Sequence, residues 1–393
     1  MESGSFGRVK SNFTVMEETK KVTSTKRAEI RVLWSFRDRS EIDKEEKNMG
    51  KYKGLFWPAI LGVKHMPKVK ESEFYNDAGG FRRATINDKI AFFLQHPVWE
   101  GRPELFMKTG SPKEIYAMSG MSVHGLCNLI GQPAQAQSIV DGFNYVVEQK
   151  GLKKVHFISG LYAEDEVRRD PDKGKVQGIL FQGEPGKPVA VLIAGGGFDG
   201  VASYLESIPA AMELHRRGYS AFVLVYRVNV ELHETEPQAK GGEASKDVLP
   251  AVRYLIGHQA EYGYTMDGFG MFGFSAGGLM TTAYAFSDYK DCCHKHNLPR
   301  PAAIFPIYGL HWELKVHEED KGLAIFSRVG RDDPTGFAAV EKIIPDIRKA
   351  LGQENVDIVM YDKLGHGFGL GIDTAADGWL RDAVAFWEEH RKC

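Results

Sequence analysis

The sequence predicts an α/β fold: a mostly parallel central sheet flanked by helices, preceded by a helical extension at the N-terminus. Two observations lead there. From about residue 151 onward, short β-rich runs alternate with amphipathic helical stretches. Runs such as Val189–Ala194 are apolar at consecutive positions, the pattern of strands buried on both faces.

Taken in order, the expected strands are Val176–Phe181, Val189–Ala194, Ala221–Val228, Gly268–Phe274, Ala303–Tyr308, Leu323–Val329 and Val356–Leu364. Between or after them, helices are expected at Tyr204–Arg217, Asp247–His258, Leu279–Ser287, Ala338–Leu351 and Ala375–His390. Residues 81–150 look helical in two stretches, Asp88–His96 and Ala134–Gln149, with Gly and Pro between them. Residues 1–80 are charge-dense and weakly periodic. The expected division is therefore a charged extension of unassigned role (1–80), a helical prefix or cap segment (81–150) and a catalytic α/β domain (151–393). Ligands of such sheets bind at the carboxyl ends of the strands, so the chemistry is sought in the loops there.

Composition narrows the function classes. The 393-residue chain is 43% hydrophobic with a formal net charge of -2, which gives no global attraction to nucleic acid or to an anionic membrane. Lys51, Lys53, Lys64, Lys68 and Lys70 form a local basic run, read as a solvated face rather than a dock for an acidic partner. Four cysteines, two of them adjacent at Cys292 and Cys293, do not make a disulfide framework. The polar N-terminus lacks the apolar centre of a signal peptide, and Leu55–Val63 is too short to span a bilayer. A cytoplasmic protein is expected, with a small-molecule substrate and no nucleic-acid or membrane partner; a homo-oligomer is compatible with the sequence.

One loop carries a nucleophile signature. Ser275 lies in Gly273-Phe274-Ser275-Ala276-Gly277, directly after a strand and before a helical run. A tight strand-to-helix turn lifts the hydroxyl above the sheet, and small flanking residues let the backbone pass. A serine hydroxyl needs a base, itself oriented by an acid. His366, in Gly365-His366-Gly367-Phe368-Gly369, follows the last strand and is the candidate base. The loop after the preceding strand holds two candidate acids, Asp332 and Asp333. Donors for a developing oxyanion are expected from the N–H of Ala276 and from Gly196 and Gly197 in the loop Ala194-Gly195-Gly196-Gly197-Phe198. Phe198, Phe274, His311 and Trp312 flank these loops and are candidate pocket residues.

Two rival readings are weaker. Gly195, Gly197 and Gly200 spell the dinucleotide-binding G-x-G-x-x-G, and Gly268, Gly270 and Gly273 spell it again. The second lies within a strand. The first has no acidic residue at the end of the next strand, which ends in Tyr226-Arg227-Val228 and could at most offer Arg227 to a phosphate. In Cys292-Cys293-His294-Lys295-His296 the four metal-binding side chains are too close in sequence to converge on one tetrahedral ion. No metal and no organic cofactor is expected.

The motifs GGGF, Gly218 to Val228, GFSAGG and GHGFGLG together resemble α/β-hydrolases of the esterase/lipase superfamily, especially bacterial acetyl-esterase and feruloyl-esterase-like proteins. The resemblance spans roughly residues 150–393. It implies the α/β-hydrolase fold with the chain order Ser, Asp, His, and a G-x-x-D spacing that selects Asp333, three residues after Gly330. It implies a serine esterase working through an acyl-enzyme on short-chain (acetyl-like) or aromatic esters. A peptidase or lactonase on the same triad, or a non-catalytic interaction protein on the same fold, are the alternatives. Related hormone-sensitive-lipase-like enzymes have His where this chain has Ala194 and often Asp where it has Phe274, which bears on substrate preference. The stretch 81–150 resembles a helical prefix carried by some bacterial relatives.

Overall fold

The computed structural model describes residues 65–228, 242–311 and 313–391. The extension up to residue 64, most of the basic run and Trp312 lie outside the described residues.

Eight strands form the central sheet: β1 Val155–Ile158, β2 Gln177–Phe181, β3 Pro188–Ile193, β4 Ser220–Val225, β5 Thr265–Phe274, β6 Ala303–Ile307, β7 Ala324–Gly330 and β8 Val356–Tyr361. Their order across the sheet is β8-β7-β6-β5-β3-β4-β2-β1. β4, β3, β5, β6, β7 and β8 run parallel, while β2 is antiparallel to both its neighbours. This is the α/β-hydrolase fold. Every residue of β2, β3, β4, β6 and β7 is buried, as expected where helices cover both faces of a parallel sheet.

The helices include α1 Ile90–Gln95, α2 Pro112–Ser119, α3 Val123–Leu129, α4 Gln135–Gly151, α5 Ser207–Arg216, α6 Val248–Gly257, α7 Ala276–Ala285, α8 Ile344–Leu351 and α9 Trp379–His390. Two glycines of β5 show how closely helices lie on both faces. Gly270 and Gly273 are three residues apart and so face opposite sides of the strand. A Cβ on Gly270 would stand 2.8 Å from the Trp387 ring of α9; one on Gly273 would collide with the Gly277 carbonyl and Thr281 hydroxyl of α7.

All seven strands expected from the sequence are present, with shifted ends. β8 stops at Tyr361 rather than Leu364, because the chain turns at Lys363, whose φ is +56°. The stretch expected as one helix from Ala338 is a 3₁₀ segment, Phe337–Ile343, followed by α8. Pro345 explains the break: it lacks an N–H and fits the first turn of a helix but not its interior. α9 begins at Trp379 rather than Ala375, after Gly378 at φ +82°. Conversely α7 starts at Ala276, three residues earlier than periodicity suggests, since Gly277 and Gly278 are poor helix formers. They are there for space: a Cβ on Gly278 would lie 2.7 Å from Gly309 Cα.

Strand β1 and a two-residue ladder, Lys108–Thr109 against Gly200–Val201, were not expected. The helical stretch before the sheet is packed into the body: α4 lies against α5 and β1, and Phe93, Trp99, Phe106 and Phe143 form a buried aromatic cluster. Among the described residues no helix is long and apolar enough to cross a membrane.

Close packing at β5 yields a stability contrast. Gly273→Ala should destabilise the protein by about 1–3 kcal/mol through overpacking. Gly151→Ala, at the end of α4 with open space around it, should be neutral or stabilising by up to about 1 kcal/mol. Urea unfolding of both variants measures the difference.

Candidate active site

Ser275 occupies the turn between β5 and α7, with φ +49° and ψ -117°. A non-glycine residue in such a conformation carries strain of about 1–3 kcal/mol and needs its surroundings to hold it. Here its N–H donates to the Ile307 carbonyl of β6 (3.0 Å), and its carbonyl accepts from Gly278 N–H (2.9 Å) and Leu279 N–H (3.2 Å). The neighbouring glycine loop passes so near that a Cβ on Gly195 would lie 2.7 Å from Ser275 Cβ.

His366 stands on the loop after β8, and its Nε2 is 2.8 Å from Ser275 Oγ. Its Nδ1 is 2.7 Å from Asp333 Oδ2. An ionised Asp333 can only accept, so the network assigns the imidazole proton to Nδ1 and leaves Nε2 to accept from the serine hydroxyl. The ring lies nearly parallel to Phe337 (centroids 5.8 Å apart, 11° between planes) and edge-on to Tyr308 (5.0 Å, 68°). These contacts leave it little freedom to turn away from Ser275.

Of the two adjacent aspartates, Asp333 is the one that reaches the histidine. Its side chain is 0% exposed, and its Oδ1 accepts from the Thr335 N–H (2.8 Å) and the Thr335 hydroxyl. Asp332 points to solvent and contributes only its backbone N–H, to the Leu364 carbonyl at 3.2 Å. Gly330 makes this approach feasible, because a Cβ there would collide with the Leu364 carbonyl of the histidine loop.

The glycine loop follows β3. Gly196 has φ +130°, Gly197 +60° and Phe198 +66°, a run of left-handed conformations that glycine adopts at little cost. Gly195 N–H donates to Glu206 Oε2 at 2.5 Å, and the Tyr226 hydroxyl donates to the Ala194 carbonyl at 3.1 Å. Among the described residues, no backbone hydrogen bond uses the N–H of Gly196, Gly197 or Ala276.

The pocket candidates fare differently. Phe274 is 0% exposed, packed between Tyr308 and Trp379 behind the turn, so it presents no face to a solvent-filled pocket. His311 is likewise enclosed, its Nδ1 accepting from Glu313 N–H at 3.0 Å. Phe198 is buried with its ring toward Tyr226. Arg227, the residue that a dinucleotide phosphate would need, is buried and bonded to Asp247 and Asp170. Cys292 and Cys293 face the core while His294 faces solvent, so that run does not converge.

The residues that hold the loops carry no signature in the sequence. Glu206 and Thr335 form bonds given above, the Tyr308 hydroxyl donates to Glu206 Oε1 at 2.9 Å, and the helical prefix adds more. Gln132 Nε2 donates to the His366 carbonyl (3.1 Å) and Gln135 Nε2 to the Phe368 carbonyl (2.6 Å). The ladder at Lys108–Thr109 pairs with the strand leaving the glycine loop, and Gly110 N–H donates to the Asp199 carbonyl at 2.6 Å.

Comparison with known proteins gives one family match: the model described as BD-FAE covers residues 181–311. That stretch includes the glycine loop and Ser275 but ends before Asp333 and His366. No curated protein matches the chain. Among solved structures similar to it is an α/β hydrolase, MGS-M1, from a Medee basin deep-sea metagenome library: 18% identity, 61% of this chain and 98% of that one, TM-score 0.47. An acetyl ester-xyloside bifunctional hydrolase from Caldicellulosiruptor lactoaceticus shares 19% identity over 60% and 96% of the two chains, TM-score 0.44. The thermophilic esterase Est2 of Thermogutta terrifontis, with propionate bound, shares 18% over 60% and 94%, TM-score 0.46.

The prefix contacts lead to a measurable cost. Gln135 is 1% exposed, so Gln135→Leu leaves the Phe368 carbonyl without its donor. Chemical denaturation should show a loss of about 1–3 kcal/mol.

Proposed function

We propose that this protein is a serine esterase that cleaves small carboxylic esters through an acyl-enzyme on Ser275. The observation that carries the reading is the hydrogen-bonded chain from Ser275 Oγ to His366 Nε2 (2.8 Å) and from His366 Nδ1 to Asp333 Oδ2 (2.7 Å), set at a strand-to-helix turn. The BD-FAE match over the same turn agrees with it.

In this reading His366 takes the serine proton as Oγ attacks the ester carbonyl, and the N–H groups of Ala276, Gly196 and Gly197 receive the oxyanion. The tetrahedral intermediate collapses as the Nε2 proton passes to the leaving alkoxide. Water then attacks the acyl-enzyme by the same proton route in reverse. Asp333 keeps Nδ1 protonated and stabilises the transient imidazolium. The chemistry needs neither metal nor organic cofactor. The substrates would be short-chain acyl (acetyl-like) or aromatic esters. Residues 151–393 carry the catalysis, and the helical prefix steadies its loops. A cytoplasmic setting goes with this reading, since Cys127, Cys292 and Cys293 are free thiols.

Hydrolysis of p-nitrophenyl acetate tests the assignment. Ser275→Ala and His366→Ala should each lower kcat by roughly 10⁴-fold or more. Asp333→Asn should cost about 10⁴-fold, and Asp332→Asn little. A fully active Ser275→Ala enzyme, or a larger loss at Asp332 than at Asp333, would contradict these roles.

A further inference from the structure

Glu206 takes no part in those proton transfers, yet it is buried beside them. It is 4% exposed and lies immediately before α5. Both its oxygens are used. Oε2 accepts from Gly195 N–H at 2.5 Å, and Oε1 accepts from the Tyr308 hydroxyl at 2.9 Å. The same hydroxyl oxygen accepts from Gly369 N–H at 3.3 Å.

Each of these partners belongs to a different part of the site. Gly195 opens the glycine loop and stands against Ser275. Tyr308 follows β6, directly after Ile307, whose carbonyl holds the Ser275 N–H. It has φ +38°, and its ring meets the edges of His366 and of Phe368 (centroids 4.5 Å apart). Gly369 lies three residues beyond His366 on the histidine loop. One carboxylate thus bonds the glycine loop directly and the histidine loop through a single hydroxyl.

A buried carboxylate is costly to keep. Burial pushes the Glu206 pKa above its ordinary value, opposed by the bonds from Gly195 and Tyr308 and by the nearby His366. Two acceptor oxygens are what this position uses. An amide of the same shape keeps one acceptor oxygen, so its NH₂ would face either the Gly195 N–H, donor against donor, or the Tyr308 hydroxyl, whose proton then loses its acceptor.

We propose that Glu206 is a positioning residue that holds the glycine loop in register with Ser275 and, through the Tyr308 hydroxyl, with the histidine loop. The inference rests on the esterase reading above. Its effect is on the reacting geometry rather than on substrate capture. It should therefore appear in kcat and leave KM largely unchanged.

The test compares wild type, Glu206→Gln, Tyr308→Phe and the double variant in steady-state hydrolysis of p-nitrophenyl acetate. Glu206→Gln should lower kcat by about 10- to 100-fold, with KM within about twofold of wild type. Tyr308→Phe, which keeps the ring and removes the hydroxyl, should lower kcat at unchanged KM. Because the two groups share one network, the double variant should lose no more than Glu206→Gln alone. Wild-type kcat in Glu206→Gln, a change in KM only, or losses that simply multiply in the double variant would overturn the proposal. Should Glu206→Gln not fold, Tyr308→Phe decides alone: reduced kcat supports the network, and wild-type kcat overturns it. A wild type whose turnover survives in Ser275→Ala sinks the esterase reading, and this proposal with it. A Ser275-dependent enzyme indifferent to Glu206 and Tyr308 sinks only the positioning role.

Discussion

The strained backbone of Ser275 is the constraint on which the rest of the site depends. A left-handed φ at a serine survives only where neighbours leave no alternative, and here those neighbours come from several segments. β6 supplies the Ile307 carbonyl, α7 the N–H groups of Gly278 and Leu279, and the glycine loop closes in from the side. Glycines at 195, 273, 277 and 278 are what let four stretches of backbone meet there without a Cβ between them. The sheet order follows the same need: β3 and β5 must be adjacent for the glycine loop and the turn to lie together, and β6 must be adjacent to β5 to hold the serine N–H.

Around that turn the other loops are fixed by buried polar bonds rather than by regular secondary structure. Asp333 is saturated by Thr335 and His366, and Glu206 by Gly195 and Tyr308. Such bonds strengthen in a low-dielectric interior, where an unpaired partner would be costly. The helical prefix joins the same scheme from outside the sheet. Gln132 and Gln135 each donate to a carbonyl of the histidine loop, and the ladder at Lys108–Thr109 pairs beyond the glycine loop. Both sides of the candidate site are therefore braced by residues far away in sequence.

That difference explains what the sequence made legible. Strands such as Val189–Ala194 announce themselves by continuous apolar character, and the elbow at Ser275 by small residues between a strand and a helix. His366 and the aspartate pair were legible from their position after consecutive strands. The choice of Asp333 over Asp332 came from the G-x-x-D spacing of similar proteins, because neither charge nor periodicity separates adjacent aspartates. Their environments differ greatly: one is enclosed with Thr335, the other solvated. Element ends were misjudged where a local rule competes with the period, as at Pro345, Lys363 and the Gly277–Gly278 pair. Phe274 and His311, candidate pocket residues by their place beside these loops, are buried in the structure, because proximity in sequence to such a loop does not say which way a ring faces. Glu206, Tyr308 and the two prefix glutamines left no pattern at all, since their partners are distant along the chain.

The central claim is that Ser275 is an activated nucleophile, and a fluorophosphonate probe addresses it most directly. The folded protein would be treated with the probe, digested, and the modified residue mapped by mass spectrometry. One modified peptide is expected, carrying the phosphonyl group on Ser275, and no such adduct in His366→Ala on the same timescale. A folded wild type that stays unlabelled, or a label at another residue while Ser275 remains free, would contradict it.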